Sequence, residues 1–226
     1  MKNWPKLLLN VRARLSPRNK SWEPYSSFIR KHVKGMTYPI TCLEIGGFNG
    51  SLAALLIKSR VVQGDFFVNV DLSAGGLADC KRRTSIECVR ADASSLPFRN
   101  GLFDFVYSVS MLEHVNKLAE AVSEQCRVAR GMVIFQVPNI NYYVEIHSLI
   151  LLPMIIPKSV KARIVQGQGQ SFINFEATFP NLIRLFLMKE WLTIDVFKVW
   201  HSVMLRFLLI PSGYMAALVP EKAILD

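Results

Sequence analysis

The sequence predicts an α/β chain built on a doubly wound, mostly parallel sheet with helices on both faces. Three observations carry this. From residue 40 onward, short apolar runs alternate with helical stretches, the pattern of strands joined by crossover helices. The runs are apolar almost throughout, as strands covered on both faces must be. The first run ends in "EIGGFNG" (44–50) and the second in Asp71, placing glycines and acids where such sheets open a ligand crevice.

The elements follow in order. "ITCLEIG" (40–46) reads as a strand, and "SLAALLIKSR" (51–60) as a helix packed through its Leu and Ala. "DFFVNVDLS" (65–73) is a second strand, "GGLADCKRR" (75–83) a helix, "SIECVRAD" (85–92) a third strand and "LFDFVYSVS" (102–110) a fourth. "LAEAVSEQCRVA" (118–129) is helical and leads into the strand "GMVIFQVP" (131–138). Right-handed crossovers make the doubly wound topology the economical one. After Pro138 the rhythm changes. "NYYVEIHSLILL" (141–152) and "TFPNLIRLFLMKE" (178–190) read as helices; "WLTIDVFKVWHS" (191–202) and "VMLRFLLIP" (203–211) read as a terminal antiparallel pair. Residues 139–180 form a lid or substrate insertion, and residues 39–226 as a whole one domain.

The composition suits this reading. Of 226 residues, 51% are hydrophobic and 19% charged, enough apolar surface for a buried core and too little charge for disorder. The net charge of +10 is concentrated at the start: residues 1–34 hold nine Lys and Arg against Glu23 alone. Residues 1–38 therefore read as a basic helical arm, suited to an anionic membrane surface, a nucleic acid or an acidic partner. Read plainly, the arm is a solvated lead-in helix. No apolar stretch reaches the roughly 20 residues of a membrane span, and no secretory leader is evident. Cys42, Cys80, Cys88 and Cys126 make no C-x-x-C pair or zinc spacing, which fits free thiols in a cytoplasmic protein. No His/Asp/Glu cluster has metal-ligand spacing either.

The turn after the first strand narrows the chemistry. Glycines there let the backbone approach a ligand closely. The dinucleotide pattern G-x-G-x-x-G fails, because Phe48 and Ser51 stand where glycines are needed. That disfavours a nicotinamide-dependent oxidoreductase. Glu44 suits a cationic ligand group better than a phosphate. Asp71 is placed to accept from both hydroxyls of a ribose, or, more plainly, to cap the next helix. Asp92 in "RADASSLPF" is placed to accept from an adenine amino group, with Ala93 and Leu96 against the ring. Asp92 and the serines also read as ordinary turn residues.

Taken in order, E-I-G-G-F-N-G, V-D-L, A-D-A-S-S-L-P-F, L-F-D-F-V-Y-S-V-S-M-L-E-H-V and R-V-A…V-P-N resemble the class I S-adenosylmethionine-dependent methyltransferases. The resemblance covers about residues 40–138 and is nearest to the group that includes the ubiquinone and menaquinone-biosynthesis enzymes. It implies a Rossmann-like, mostly parallel seven-stranded sheet with a terminal antiparallel strand, and S-adenosyl-L-methionine as cofactor. By matching position, Glu44, Gly46, Gly47 and Gly50 would line the methionine half, Glu44 near its amino group. Asp71 would hold the ribose with Leu72 beside the adenine, Asp92 and Ala93 would contact the adenine, and Ser108 would lie near the transferring methyl. The family pattern E/D-x-G-x-G-x-G is broken by Phe48, which implies a reshaped turn and weaker cofactor binding. "VARGMVIF" lacks the usual P-G-G before the fifth strand, a structural difference.

Methyl transfer to a hydroxyl calls for a base, and histidine is the fitting residue. His114 in "LEHV" and His147 in "YYVEIHS" are the catalytic candidates, with His201 in "VWHS" a third. Each also has a plain reading, as helix-start, surface and packed residue. "HSLILLPMIIPKSVKAR" sets an apolar run beside Lys158, Lys161 and Arg163, which suits an apolar or lipid-linked acceptor at an anionic membrane surface. The expectation is a methyltransferase acting by in-line displacement on such an acceptor, cytoplasmic or peripheral to the inner face of the membrane. The alternatives are an RNA-modifying methyltransferase using the basic arm, disfavoured by the near-neutral core, and a non-catalytic binding protein that keeps the fold.

Overall fold

Strand Cys42–Ile45 (β1) is buried at every residue, and it is an interior strand of the sheet. In this computed structural model, residues 22–34, 36, 39–62, 66–139, 144–145, 150–151, 174, 176–199, 211 and 213–225 are described. Helix α1 (Glu23–Val33) precedes β1. Then follow α2 (Ser51–Lys58), β2 (Phe67–Asp71), α3 (Ala74–Arg83), β3 (Glu87–Arg90), β4 (Phe103–Val109), a 3₁₀ turn (Leu112–His114), α4 (Leu118–Val128) and β5 (Ala129–Pro138). The remaining elements are β6 (Val144–Glu145), β7 (Ile150–Leu151), α5 (Phe179–Leu187), β8 (Trp191–Val199), β9 (Gly213–Pro220) and α6 (Lys222–Leu225).

Seven strands form one sheet in the order β3-β2-β1-β4-β5-β9-β8. The first five in that order are mutually parallel, and β9 runs antiparallel to both neighbours. The order reverses between β1 and β4, so their carboxyl ends, with those of β2 and β3, open onto the crevice expected of such sheets.

Strand side chains alternate between two faces, and each face has its own core. Leu43 and Ile45 join Val106, Val133 and Phe135 with residues of α4 and α5. Cys42 joins Phe67, Phe105, Tyr107 and Ile134 with residues of α1 and α2. Helix α3 begins at a Ser73 cap whose hydroxyl accepts from the Gly76 amide at 3.1 Å, and Thr178 caps α5 in the same way.

Three differences from the sequence reading have physical causes. Helix α1 lies in the stretch read as an arm, yet Ile29 and Val33 are fully buried in the second core. Asp195 of β8 ties it further, accepting from Lys31 at 2.6 Å and facing His32 at 3.2 Å. Arg30, Lys31 and Lys34 are exposed, and the other basic residues that suggested an arm lie outside the described residues. Within 141–152, read as helical, residues 144–145 and 150–151 are a short antiparallel pair; a brief apolar run does not separate helix from strand by period alone. The last strand is "GYMAALVP" (213–220), paired to β5 and β8. The sequence reading had placed it at 203–211, of which only Pro211 is described. A strand that opens on glycine directly after Pro211 and Ser212 was masked by its turn residues.

Candidate functional site

The carboxyl ends of β1 to β4 enclose two cavities of about 350 and 300 Å³ that share Gly46 and Ser110 as wall. The larger is bounded by Ile45, Val70, Asp71, Leu72, Ala91, Asp92, Ala93, Met111 and the stretch His114–Lys117. Around the smaller stand Trp22, Glu44, Gly47, Phe48, Asn49, Ser51 and Leu52. Residues distant in the chain meet here because the strands that carry them are parallel neighbours and end at one level.

Asp71 is the last residue of β2. Its Oδ2 accepts from the Phe48 amide at 2.9 Å and its Oδ1 from the Ser73 amide at 2.8 Å. Two backbone donors thus fix the carboxylate, and each oxygen keeps a lone pair for a further donor. Leu72 beside it is 60% exposed on the cavity wall and offers an apolar face there. Asp92 accepts from both the amide and the hydroxyl of Ser94 at 2.8 Å. These bonds, with a weaker pull from Lys117, hold its pKa below the usual carboxylate value, so it stays an ionised acceptor. The paired acids and the apolar surfaces of Leu72, Ala91 and Ala93 suit a nucleoside.

Glu44 lies deeper, in β1 opposite Asn69 of β2 and Tyr107 of β4. It is 4% exposed. Burial pushes its pKa up to about 8; the neighbouring Tyr107 phenol opposes this in part, short of hydrogen-bond geometry, and Asp71 adds to it. A Cβ at Gly47 would collide with Glu44 and with Asn69, and one at Gly46 with Met111. These two positions require glycine for close approach. A buried carboxylate oxygen without a partner under a glycine cradle fits a cationic ligand group.

Phe48 keeps the turn in register. Its φ is +46°, the left-handed backbone that a glycine would adopt most easily. Its carbonyl accepts from Asn69 at 3.2 Å, and its ring presses on Gly76 at the start of α3.

Gly46, Asp71, Leu72, Asp92, Ala93 and His114 are therefore brought together on the larger cavity, and Glu44, Gly46 and Gly47 on the smaller. Gly50 is on neither. It is the N-cap of α2, seated on the Cys80 sulfur. Ser108 is the clearest correction. It still sits inside the ladder between Ile45 and Phe135, is fully buried, and donates to Gln125 at 3.2 Å. Two residues on, past the strand end, Ser110 turns at φ +51° and reaches both cavities. His147 and His201 lie outside the described residues. Trp22, Met111 and Lys117 were not singled out from sequence; Met111 and Lys117 follow β4 closely, but Trp22 arrives through the packing of α1, which no local signal gives. Among the described residues there is no metal-binding cluster of His, Cys, Asp or Glu, and no helix long and apolar enough to cross a membrane.

The methyltransferase domain family matches residues 43–135 of the chain. No curated protein matches it. Among solved structures, it is similar to a chain of the complex between the Haloferax volcanii Trm112 methyltransferase activator and a methyltransferase. The identity is 13%, covering 90% of this chain and 93% of that one, with a TM-score of 0.64. An S-adenosylmethionine-dependent methyltransferase from Mesorhizobium loti is 14% identical, over 84% and 96% of the two chains, with a TM-score of 0.62. A geranyl diphosphate methyltransferase solved with GPP and sinefungin is 13% identical, over 87% and 77%, with a TM-score of 0.59. At these identities the likeness to the solved structures is one of fold.

Proposed function

We propose that this chain, whose residues 43–135 match a methyltransferase domain family, is a class I S-adenosylmethionine-dependent methyltransferase that methylates a small apolar or lipid-linked acceptor. The observation that carries the reading is the joint cavity wall. Asp71, Leu72, Asp92 and Ala93 suit an adenosine on one side of Gly46, and Glu44 suits an ammonium group on the other.

S-Adenosylmethionine, when bound, supplies a methyl group already activated by its sulfonium. The chain's part is to hold, orient and exclude water. Asp71 would accept from the ribose hydroxyls, Asp92 from the adenine, with Leu72 and Ala93 against the ring. Glu44, Gly46 and Gly47 would receive the methionine end. His114 stands on the wall of the larger cavity between Met111 and Val115. It is the histidine we assign to take the acceptor's proton on an imidazole nitrogen. The apolar neighbours Met111 and Val115 favour an apolar acceptor, as does the sequence "HSLILLPMIIP". The basic residues of 1–34 favour work at an anionic membrane surface.

Calorimetric titration with S-adenosylhomocysteine, with NADH as control, tests the reading. Micromolar binding, on the order of −8 kcal/mol, is expected for the wild type and at least tenfold weaker binding for Asp71→Ala, with none for NADH. A folded wild-type protein that ignores S-adenosylhomocysteine would sink it. RNA binding that falls steeply with salt would move the acceptor to nucleic acid.

A further inference from the structure

Three acceptor-bearing groups converge under the glycine turn. Glu44 Oε2, Asn69 Oδ1 and the Tyr107 hydroxyl are all buried and none has a hydrogen-bond partner. The first two press on the same point, since a Cβ at Gly47 would strike both. Neither buried oxygen receives a hydrogen. Asn69 has none to give, because its Nδ2 already donates to the Phe48 carbonyl at 3.2 Å and to the Cys80 sulfur at 3.3 Å. The Tyr107 O–H is the other donor nearby, but it stops short of hydrogen-bond geometry, so protonation is what relieves the buried charge of Glu44.

The charges around Glu44 point the same way. Asp71 of β2 disfavours its ionised form, Tyr107 of β4 favours it in part, and Cys42 of β1 is itself pushed up by burial and, less, by Glu44. Among the described residues no cation acts on it. The carboxylate that forms part of a cavity wall thus has no positive charge to stabilise it unless a ligand brings one.

We propose that Glu44 exchanges a proton for a cation: neutral in the ligand-free protein, it releases its proton to solvent when a ligand's ammonium group enters the cavity of Trp22, Gly46 and Gly47. This rests on the reading that the cavity takes the amino end of an adenosyl amino acid. The carboxyl O–H breaks, the proton goes to buffer, and the carboxylate pairs with the incoming ammonium, so charge balances. Burial, which lifts the Glu44 pKa to about 8, sets the window in which the exchange is visible. An adjacent cation lowers that value. Binding at pH 7 then releases about 0.9 proton, and affinity tightens about tenfold from pH 6 to pH 7 before flattening above pH 8.

The test is calorimetry with S-adenosylhomocysteine at pH 7 in phosphate, HEPES and Tris, whose ionisation enthalpies differ. The slope of observed enthalpy against buffer ionisation enthalpy counts protons. We expect nearly one released by the wild type, and none by Glu44→Gln, which keeps the shape and supplies its own N–H. 5′-Methylthioadenosine, which lacks the ammonium group, should bind with no release. Tight binding of S-adenosylhomocysteine with a flat slope overturns the exchange and leaves the methyltransferase reading standing, as does proton release that persists in Glu44→Gln. Absence of binding by the folded wild type overturns both.

Discussion

The backbone amide of Phe48 donates to the Asp71 carboxylate at 2.9 Å. The residue that departs from the family's glycine pattern therefore anchors the acid assigned to the ribose, and it does so through an atom that every residue but proline possesses. What Phe48 brings as phenylalanine is its ring on Gly76, set against the cost of a left-handed backbone, about 1 kcal/mol.

From this, Phe48→Gly should leave S-adenosylhomocysteine affinity within a few-fold and stability within about 1 kcal/mol, as relieved strain offsets lost packing. Phe48→Val, β-branched at a positive φ, should lower the melting temperature by the equivalent of about 2 kcal/mol. Calorimetry and thermal melts check both. Loss of binding in a folded Phe48→Gly would show that the ring, and not the amide, holds the site.

Gly47 and Gly75 should respond oppositely to alanine. At Gly47 the methyl would strike Glu44 and Asn69, so Gly47→Ala should weaken S-adenosylhomocysteine binding at least tenfold and destabilise by about 2 kcal/mol. At Gly75, inside α3, a Cβ meets nothing within 4 Å. Gly75→Ala should stabilise by about 0.5 to 1 kcal/mol with binding unchanged. Denaturant melts and titrations of the two variants decide it.

The buried Glu44 gives the ligand-free protein a pH signature. Its folded pKa of about 8 lies above the unfolded carboxylate value of about 4.3, so the folded state binds more protons between these values. Stability should be greatest below about pH 4.3 as far as this group is concerned, and should decline as pH rises to about 8, by a few kcal/mol. Glu44→Gln should lose that decline and be the more stable form at pH 8.5. Urea melts from pH 6 to pH 8.5 would refute this if wild type and variant kept a constant difference.

Helix α1 should behave as core. Ile29 is fully buried, so Ile29→Ala should cost about 2 to 4 kcal/mol. The Lys31–Asp195 contact joins a Lys side chain that is 68% exposed to an Asp that is 29% exposed, so Asp195→Ala should cost less than about 1 kcal/mol. If the two variants melted alike, α1 would be held by surface charge.

Much of the placement of the candidate site's residues was legible in the sequence because its signals are local. An acid at the end of an apolar run, as at Asp71, and a turn rich in glycine after β1 are facts about neighbours in the chain. Parallel pairing then carries those ends to one edge with little further specification. The same logic explains the errors. Ser108 and Ser110 both stand at the end of β4 in "YSVS", and only the ladder partners Ile45 and Phe135 show that the first is still inside the sheet.

The sequence by itself determined the alternation of strand and helix, the parallel sheet, the acids at the strand ends and the glycine turn, since each follows from the period and the chemistry of adjacent residues. Only the tertiary structure decided that β9 inserts between β5 and β8, that α1 belongs to the core, and that Glu44 is shut in with Asn69 and Tyr107. Those depend on contacts between residues far apart in the chain. Burial, which sets the cost of ionising Glu44, is a property of the packed chain and not of any stretch of it.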